Sequence, residues 1–468
     1  MSGASVAAGP TRSTTQSTLP LRLAGIVLLV GTLAFMARSA FIDDALIYAR
    51  YIRNAVHGLG LVYNPGERFN GLTSPLYSYL VLLVAKLAGG HVLAASAAVS
   101  AVAFLAACVL AETLVPFAGL LLAGTGYFYA LVGMETTLFL CMLLLNFKLL
   151  EQHRYHWLPA SIVLLILTRF EGAALVPPLL FELHERRRWP SWRAYVPAVV
   201  ITVGYLLLNH HWYGAFLPSS ANAKLGQGRA GYWGHWPFAF YKSMYQLKPH
   251  FLPTVYIVAG VALLVIPGLR RLARTSLVRI GLPFLLILLA FYTLFNIPGY
   301  VWYYAPFICL AMVYACAGIR ARPVWQIVAA TLILFSAATA LIRYHTAQPG
   351  SDQPATRGYR AIAHWIDANG GAHPRLEAAE IGNLGWFCQR CVVIDILGLT
   401  YPKNADHIAH RQTDAWLAED NPDFVVVHYQ PWVFEKAVKA SPSYERVPVD
   451  FGPTVYLLAR KHRLAQMR

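Results

Sequence analysis

The sequence predicts a polytopic α-helical membrane protein of about ten to twelve transmembrane helices, followed by a small C-terminal α/β soluble domain. Of the 468 residues, 57% are hydrophobic and only 13% are charged, which is about half the charged fraction of an ordinary soluble domain. No Asp or Glu occurs from Arg186 to Ser351. Because an acidic side chain is costly at the centre of a membrane helix, this exclusion is typical of membrane-spanning segments. The composition therefore excludes an ordinary cytosolic enzyme.

The formal charge of +16 suits either a membrane protein or a nucleic-acid-binding protein. Residues 1–342 carry 24 basic and 9 acidic side chains, whereas residues 343–468 carry 14 and 13. The basic residues occur in short clusters between apolar runs, for example at Arg186–Arg188. Such clusters follow the positive-inside rule for cytoplasmic loops and do not form one basic face. We therefore predict no nucleic-acid partner.

Apolar runs of about 20 residues, the length that crosses a bilayer core, predict a transmembrane domain over residues 21–342. Residues 1–20 are rich in Ser, Thr, Gly and Ala and are predicted to form a disordered cytoplasmic N-terminus. The first run has no clear cleavage site, so we interpret it as an uncleaved helix and not as a signal peptide. The predicted spans are 21–39, 74–89, 91–110, 112–132, 134–150, 157–184, 194–212, 252–269, 278–296, 302–319 and 323–342.

Two parts of this pattern are irregular. The run 157–184 is interrupted by the polar segment Thr168–Gly172, which predicts two short helices that meet where charged side chains line a cavity. Residues 90–133 do not fit a whole number of full-length crossings, which predicts a half-helix or re-entrant piece. The positive-inside rule then puts the loops 40–73 and 213–251 on the outer side, together with the tail.

The tail, residues 343–468, is predicted to be an extracytoplasmic α/β domain because helical and extended periodicities alternate along it. Its predicted helices are 356–369 and 413–419, and its predicted strands are 376–381, 391–396, 424–428 and 454–459. Cys388 and Cys391 form a lone C-x-x-C pair. Without a second pair a zinc site is disfavoured, and either a local disulfide or two free thiols fit the spacing.

The first outer loop begins with two adjacent acids, Asp43 and Asp44, directly after the first span. One acid is explained by the start of a helix, which favours a carboxylate. A mutually repulsive pair is explained less well in that way and favours a catalytic role. We predict that one carboxylate is the base for an acceptor hydroxyl, while the other orients that hydroxyl or binds a donor.

Cations follow in both outer loops. Arg50 and Arg53 share one helical face and could bind a phosphate, or they could pair with the acids or extend to the membrane surface. The loop 210–251 contains four cations and no acid. Because cations on the outer side oppose the positive-inside trend, an anionic ligand is favoured over an amphipathic interfacial helix. Lys224 is the strongest candidate, and His211 lies at the start of the same loop.

Three further candidates lie in apolar segments. Arg169 and Glu171 are ionisable groups at membrane depth, which indicates a functional site by default, although a buried ion pair between helices explains them equally well. Tyr303 belongs to the aromatic run 298–304, which fits an interfacial aromatic belt better than a stacking platform for a sugar. The sequence shows no Walker, H-E-x-x-H or G-x-S-x-G motif. It indicates no metal-ligating residues and no required cofactor, and it leaves dependence on a divalent metal open.

Taken together, the motifs resemble polyprenyl-phosphate-sugar-dependent glycosyltransferases of the GT-C fold. The resemblance rests first on the acid pair followed by Y-A-R-Y, G-x-G-L-V-Y-N-P-G-E-R and N-G-x-T-S-P. In the same order come G-M-E-T at 133–136, T-R-x-E-G at 168–172, W-Y-G to A-K over 212–224 and W-Y-Y at 302–304. The pattern is most similar to the mycobacterial terminal β-arabinofuranosyltransferases and their bacterial, pilin-type relatives. Phe170 and Asn70 depart from it, because relatives often have Pro and Glu there.

The resemblance implies that arabinofuranose is moved from a polyprenyl-phosphate donor to an extracytoplasmic glycan or pilin-like protein acceptor. It implies an inner-membrane protein whose active site and C-terminal domain face the periplasm, in contact with membrane lipids. Asp43 or Asp44 would then be the base. The residues that would bind the phosphate or sugar of the donor are Arg50, Arg53, Lys224, Arg169, Glu171, His211 and Tyr303.

Two alternatives remain open at this point. The first is a GT-C transferase that uses another polyprenyl-phosphate sugar, a hexose or an aminopentose, on lipid A, a polysaccharide or a protein. The second is a transporter or flippase for lipid-linked sugars. The acids cluster in the first outer loop and not deep in several spans, which disfavours transport.

Overall fold

The computed structural model describes residues 18–218, 220–234, 255–319, 323–346, 354–412 and 415–467. Several sequence predictions therefore fall partly outside the described residues, among them the predicted span 252–269 and the predicted helix 413–419. Others concern residues 1–17 of the N-terminus, residues 235–251 of the second outer loop, and the basic pair Arg320 and Arg322. Within the described residues, the chain is helical as far as Thr346, and an α/β unit follows.

Sixteen α-helices are described in the N-terminal part of the chain. They are α1 (Leu19–Ala37), α2 (Asp43–Val56), α3 (Pro75–Leu87), α4 (Val92–Leu114), α5 (Ala118–Ala123), α6 (Gly126–Tyr129), α7 (Thr136–Glu151), α8 (Leu158–Thr168), α9 (Val176–Glu185), α10 (Tyr195–Tyr213), α11 (Ser220–Ala230), α12 (Val255–Leu272), α13 (Ser276–Arg279), α14 (Gly281–Leu294), α15 (Ala305–Gly318) and α16 (Pro323–Thr346).

Six helical segments in the described residues are long and apolar enough to cross a membrane. They are Leu19–Ala37, Val92–Leu114, Trp192–Tyr213, Ser276–Leu294, Val301–Gly318 and Val324–Thr346. Other predicted spans are shorter helices, such as α3 with 13 residues and α7 with 16. The predicted polytopic α-helical membrane fold is confirmed, and the chain is a membrane-integral protein.

The predicted span 112–132 is not one helix. The helix α4 ends at Leu114, the next residue but one is Pro116, which lacks a backbone N–H, and Phe117 takes a positive φ of 70°. The chain continues as α5 and α6, which have only six and four residues and are too short to cross a bilayer. The irregular piece expected in this region is thus a broken pair of short helices.

The polar break predicted within 157–184 is also present. The helix α8 ends at Thr168, a 3₁₀ helix covers Phe170–Leu175, and α9 starts at Val176. Arg169, at the junction, has an extended backbone. The break therefore turns the side chains of Arg169 and Glu171 into the interior of the molecule, where they form an ion pair.

The tail folds around a five-stranded sheet. Its strands are β1 (Arg375–Ala378), β2 (Val392–Asp395), β3 (Phe424–His428), β4 (Tyr444–Arg446) and β5 (Val455–Arg460). Its helices are α17 (Pro354–Asn369), α18 (Ile381–Phe387), α19 (Pro402–Ala409), α20 (Ala415–Asp420), α21 (Lys436–Ala440) and α22 (Lys461–Met467).

The strand order in the sheet is β2-β1-β3-β5-β4. β1 lies between β2 and β3 and is parallel to both, whereas β5 pairs antiparallel with β3 and β4. Apolar residues of α17 and α18 join the core on one face of the sheet, and those of α19, α20 and α21 join the core on the other. β1 ends at Ala378 and not at the predicted residue 381.

The helix α18 fastens the tail to the start of α2 through Asp43. The backbone N–H groups of Gly382 and Asn383 each donate to the Asp43 carboxylate at 2.7 Å. The first N–H groups of a helix have no partner within the helix, so Asp43 caps α18 from a distant part of the chain. Gly382 permits this contact, because a Cβ there would lie 1.8 Å from the Asp43 carbonyl oxygen.

Arg50 holds the same junction from within. Its guanidinium is buried and donates to the carbonyl oxygens of Tyr63 at 2.8 Å and Cys391 at 2.7 Å. It also donates to the carbonyls of Gly385 and Cys388 and to the Asn64 side chain. Every donor of this side chain thus has a protein acceptor.

Arg53 has a similar role at the edge of the junction. It donates to the carbonyl oxygens of Trp386 at 2.7 Å and Gly385 at 3.2 Å, and its guanidinium lies 4.7 Å from the centre of the Trp386 ring. The prediction that Arg50 and Arg53 bind a phosphate is therefore corrected. Their shared helical face points to the tail and is occupied by backbone carbonyls.

The C-x-x-C pair forms a disulfide between Cys388 and Cys391. Both cysteines are buried. The bond closes the turn whose first and last carbonyl groups accept hydrogen bonds from Arg50. Of the two alternatives left by the spacing, the structure contains the local disulfide.

Replacement of Arg50 should loosen the tail. We expect Arg50→Met to lower the free energy of unfolding by at least about 3 kcal/mol, since it leaves several buried acceptors unpaired at about 1–3 kcal/mol each. Thermal denaturation in detergent and limited proteolysis of the tail would measure the effect. The matched control is Arg68→Met, an exposed residue of the same loop, which should change stability by less than about 0.5 kcal/mol. Equal melting temperatures for both variants would contradict the assignment.

Candidate active site

A cavity of about 350 Å³ lies between the first outer loop, the break after α8, and the helices α11 and α14. One wall is apolar and includes Ile287, Leu288 and Phe291 of the membrane-spanning helix α14. A second part of the lining, which we call the polar wall, carries charged and hydroxyl side chains. The ionisable and hydroxyl side chains that line the cavity are those of Asp44, Tyr48, Thr73, Glu135, Arg169, Glu171, Ser220, Lys224, Tyr292 and Tyr303.

Asp44 lies in the first turn of α2 and faces the cavity. Burial raises the pKa of the Asp44 carboxyl to about 7, and the positive charge of Lys224 opposes this rise. Within the described residues, no side chain or backbone group is hydrogen-bonded to this carboxylate. A carboxylate with a pKa near neutrality and free lone pairs can accept a proton from a bound molecule.

Asp43 has a different environment although it is adjacent in sequence. Its carboxylate accepts three hydrogen bonds, from the backbone of Gly382 and from the backbone and side-chain amide of Asn383. It does not line the cavity. The structure thus divides the predicted acid pair, with Asp43 binding the tail and Asp44 facing the cavity.

Lys224 reaches the cavity from α11. Its Nζ lies 4.1 Å from the centre of the Tyr300 ring, a distance typical of a cation–π contact. Burial lowers the pKa of Lys224, while the negative charges of Asp44 and Asp395 favour the charged form. No ion pair to Lys224 is found among the residues that the structure describes. The ammonium group is thus held by an aromatic face and has donors left for an anion.

Asp395 supports this arrangement from the end of β2. Its carboxylate accepts hydrogen bonds from the backbone N–H groups of Leu397 at 2.8 Å, Leu399 at 2.5 Å and Thr400 at 3.1 Å. These bonds fix the loop that brings Leu399 to the cavity. Asp395 itself therefore stabilises the loop and adds negative charge near Lys224.

Arg169 lies in the cavity between two acids. It forms ion pairs with Glu135 and, at 2.7 Å, with Glu171, and its guanidinium lies 5.1 Å from the centre of the Tyr303 ring. The buried ion pair that the sequence left open is therefore present. Because the cluster also lines the cavity, it can bind hydroxyl or amino groups of a ligand as well as hold the helices together.

The structure brings together five of the nine predicted site residues. The cavity described above is lined by Asp44, Lys224, Arg169, Glu171 and Tyr303. The side chains of Asp43, Arg50 and Arg53 are taken up by the tail, as described above. His211 lies at the exposed end of α10 and does not line the cavity, so its predicted role in donor binding is corrected.

Sequence reasoning missed several residues of this region. Tyr48 follows Asp44 by one helical turn, which places it on the same face of α2, and it hydrogen-bonds Thr73 at the cavity wall. This spacing could have revealed it. Glu380 could not be identified from its local sequence, because only the fold of the tail brings it near Asp43 and Asp44. Burial raises the pKa of Glu380, and the neighbouring charges of Asp43 and Asp44 raise it further.

No group of three or more His, Cys, Asp or Glu side chains in the described residues is arranged to hold a metal ion. The acids near the cavity are instead separated by function. Asp43 and Asp395 are saturated with N–H donors, and Glu135 and Glu171 pair with Arg169. The chemistry of the cavity is therefore that of one carboxylate, one ammonium and one guanidinium–carboxylate cluster.

Comparison with known proteins gives a match for the tail and for the whole fold. Residues 345–463 match the family described as "Domain of unknown function (DUF8728)". No curated protein matches the chain. Among solved structures, ArnT from Cupriavidus metallidurans in the apo state is similar, with 15% identity and a TM-score of 0.61 over 95% of this chain and 98% of ArnT.

Two further structures are similar. ArnT from the same organism bound to undecaprenyl phosphate has 13% identity and a TM-score of 0.60, over 94% of this chain and 98% of ArnT. Arabinofuranosyltransferase AftD from Mycobacteria has 14% identity over 97% of this chain and 40% of AftD, with a TM-score of only 0.39. The chain therefore has the GT-C fold of ArnT.

The ionisation of Asp44 should be visible in stability. The carboxyl has a pKa of about 7 in the folded protein and an ordinary value of 3.8, so the folded state holds a proton that the unfolded state releases between these values. Stability from this group is therefore lost as the pH rises through that window. We expect the melting temperature of Asp44→Asn, minus that of the wild type, to increase from pH 5 to pH 8.

A second variant identifies the neighbour that controls this titration. In Lys224→Met the opposing positive charge is absent, so the pKa of Asp44 should be higher still. The pH-dependent loss of stability should then extend to a higher pH than in the wild type. Differential scanning fluorimetry across a pH series would measure both variants, and parallel curves for Asp44→Asn and wild type would refute the assignment.

Proposed function

We propose that this protein is a membrane glycosyltransferase that moves a sugar from a polyprenyl-phosphate donor to an acceptor on the extracytoplasmic side. The observation that supports this most directly is the joint exposure of Asp44 and Lys224 to one cavity. Displacement of a phosphate by a hydroxyl needs a base for the hydroxyl and a cation for the leaving group. Asp44 and Lys224 supply one of each.

The two walls of the cavity suit the two parts of such a donor. The apolar side chains of α14 can contact the polyprenyl chain, because this helix spans the membrane. Arg169, Glu171 and Tyr303 on the polar wall can bind the sugar. The volume of about 350 Å³ falls within the range of small-ligand sites. ArnT has also been solved with undecaprenyl phosphate bound.

In the proposed reaction, the phosphate of the donor binds Lys224 and the acceptor hydroxyl lies against Asp44. The acceptor oxygen forms a bond to the anomeric carbon, and the bond between that carbon and the phosphate oxygen breaks. The hydroxyl proton passes to Asp44, and the electron pair leaves with the polyprenyl phosphate. Lys224 stabilises the negative charge that develops on the leaving group. Asp44 then returns its proton to solvent.

For the sugar, we propose arabinofuranose on the basis of the motif order along the chain. The second candidate is an aminopentose, which is the alternative that the sequence left open. One observation favours it: the cavity holds two carboxylates around one guanidinium, so this cluster carries a net negative charge. A carboxylate in that position could bind the ammonium group of an amino sugar.

We further propose that the cavity and the tail face the periplasm or its equivalent. The disulfide between Cys388 and Cys391 supports this orientation, because disulfides persist in oxidising compartments and are rare in the cytosol. The basic clusters at Arg186–Arg188 and Arg270–Arg271 support it as well, since they mark cytoplasmic loops.

The activity can be tested by incubating the purified protein with polyprenyl-phosphoryl arabinofuranose, or its aminoarabinose counterpart, and a panel of glycan and protein acceptors. Mass spectrometry would follow the release of polyprenyl phosphate. We expect Asp44→Asn to reduce the rate at least about 100-fold, the scale of a lost general base. The matched control, Glu151→Gln, changes an exposed carboxylate at the end of α7 and should retain activity.

The outcomes separate the candidate functions. Acceptor-dependent release that needs Asp44 supports the transferase, and the donor that reacts identifies the sugar. Binding of the intact lipid without release for either donor would favour a lipid-linked sugar transporter. Full activity of the Asp44→Asn variant would exclude Asp44 as the base.

Lys224 should contribute chiefly to donor binding. We expect Lys224→Met to raise the Kd for polyprenyl phosphate at least about tenfold, since about 1.4 kcal/mol of binding free energy is within reach of one charge-assisted contact. Microscale thermophoresis of the protein in nanodiscs would measure this Kd. Lys86→Met, at the exposed end of α3, is the matched control. An unchanged Kd in Lys224→Met would remove this residue from the phosphate site.

A further inference from the structure

Two carboxyl groups meet at the start of α18, and only one of them caps the helix. Glu380 occupies the N-cap position, directly before Ile381, with φ −101° and ψ 92°, and its own side chain makes no capping hydrogen bond. The N–H groups of Gly382 and Asn383 bind the Asp43 carboxylate instead. An acid at an N-cap commonly binds such N–H groups itself. The carboxyl group of Glu380 is therefore not used for capping.

The Glu380 carboxyl lies within hydrogen-bond distance of the Asp43 carboxyl. Two carboxyl groups form a hydrogen bond only if one of them holds a proton. Asp43 accepts three hydrogen bonds from N–H groups of Gly382 and Asn383, and such bonds favour its charged form. No N–H group among the described residues donates to Glu380. The proton therefore belongs to Glu380, whose O–H group donates the hydrogen bond to Asp43.

The surroundings of Glu380 also favour its uncharged form. Burial raises the pKa of Glu380, and the negative charges of Asp43 and Asp44 raise it further, against the opposing charge of Lys224. In the part of the chain that the structure describes, the titratable groups that face Glu380 are Asp43 and Asp44 of α2, Lys224 of α11, Tyr300, and Tyr359 of α17. Lys224 is the one cation in this set, so ionisation of Glu380 would add a third carboxylate beside a single ammonium group.

The charge of Lys224 that remains for a ligand depends on how many neighbouring acids are ionised. The acids that act on its ammonium group are Asp44, Asp395 and Glu380, and Arg169 opposes them. An ionised Glu380 would compensate part of the charge of Lys224, so a phosphate would be attracted less strongly. A neutral Glu380 leaves that charge in place. Because Glu380 does not line the cavity, it acts on a bound phosphate through Lys224 and not by contact.

We propose that Glu380 is a positioning residue of the donor site: it is a neutral carboxylic acid that donates a hydrogen bond to Asp43, and it thereby leaves the charge of Lys224 to the phosphate of the sugar donor. This inference rests on the proposed glycosyltransferase function and adds a residue of the tail to the donor site. The role of Glu380 is the opposite of that of Asp44, because Asp44 must be ionised to accept a proton, whereas Glu380 must remain uncharged.

The protonation state can be measured on the full-length protein in nanodiscs by infrared spectroscopy. The spectrum of the wild type minus that of Glu380→Gln, recorded at pH 8, should contain the C=O band of a protonated carboxyl group, and this band should shift in D2O. Most of Asp44 is ionised at that pH, because its pKa is about 7. The matched control, Glu445→Gln, changes an exposed carboxyl group of the tail and should give carboxylate bands. Carboxylate bands for Glu380 would overturn the inference.

The binding of polyprenyl phosphate gives a second readout. Glu380→Gln is uncharged and can donate to Asp43, so its Kd should stay within about twofold of the wild-type value. Glu380→Asp is one methylene shorter and loses this hydrogen bond. Its carboxyl group should then ionise and raise the Kd about tenfold, the scale of one added charge at a partly buried site. In the Lys224→Met background, the same Glu380→Asp change should alter the Kd by less than about twofold.

Two binding results would contradict the inference. It fails if Glu380→Gln binds polyprenyl phosphate more weakly than Glu380→Asp, because a charged carboxylate would then be required. It also fails if Glu380→Asp has the same effect with and without Lys224, since the residue would then act on the fold alone. Neither measurement needs turnover, so the two proposals can fail separately. A protonated Glu380 with Lys224-dependent binding would support this inference even without sugar transfer, whereas sugar transfer with an ionised Glu380 would support the transferase and overturn the inference.

Discussion

The hydrogen bonding of one buried guanidinium underlies the docking of the tail on the first outer loop. Arg50, on α2, donates to carbonyl groups of its own loop and to the turn closed by the Cys388–Cys391 disulfide. A buried cation without acceptors is strongly destabilising, and the tail supplies three of the five acceptors of Arg50, so docking of the tail stabilises α2. Asp43 adds the complementary contact, an anion at the start of α18. The position of Asp44 follows from this docking, because its neighbour is held by the tail.

The same docking explains why two adjacent acids have different chemistry. Successive residues in the first turn of a helix point in directions about 100° apart, so one can face the tail while the next faces the cavity. Asp43 meets N–H donors and remains a structural anion. Asp44 is buried at the cavity, and this burial raises the pKa of its carboxyl to about 7 against the opposing charge of Lys224. A pair of identical side chains thus separates into an anchor and a candidate base without any difference in the sequence itself.

Features that depend on local sequence could be predicted. Apolar length predicted the membrane fold, and a short run of aromatic and β-branched residues predicted β3 with its observed bounds, Phe424–His428. Asp44 and Lys224 could be found because an acid pair and an acid-free cationic loop are unusual at a membrane surface. The GT-C fold followed from motif order and agrees with the ArnT structures.

Features that depend on distant contacts could not be predicted. The helix α18 contains Gly382 and Gly385, which are poor helix formers, and it is stabilised by Asp43 and by the close approach of Tyr63. Arg50 and Arg53 were assigned to a phosphate because their acceptors, backbone carbonyls more than 330 residues away, leave no mark on the local sequence. The hydrogen bond that joins Asp43 to Gly382 spans 339 residues, which has a consequence for biogenesis. The first outer loop is synthesised before the intervening helices and the tail. Asp43 and Arg50 can therefore form their hydrogen bonds to the tail only after those helices have been made. Because Leu399 of the tail lines the cavity, the cavity can be completed only after the tail has been made and has folded against the first outer loop.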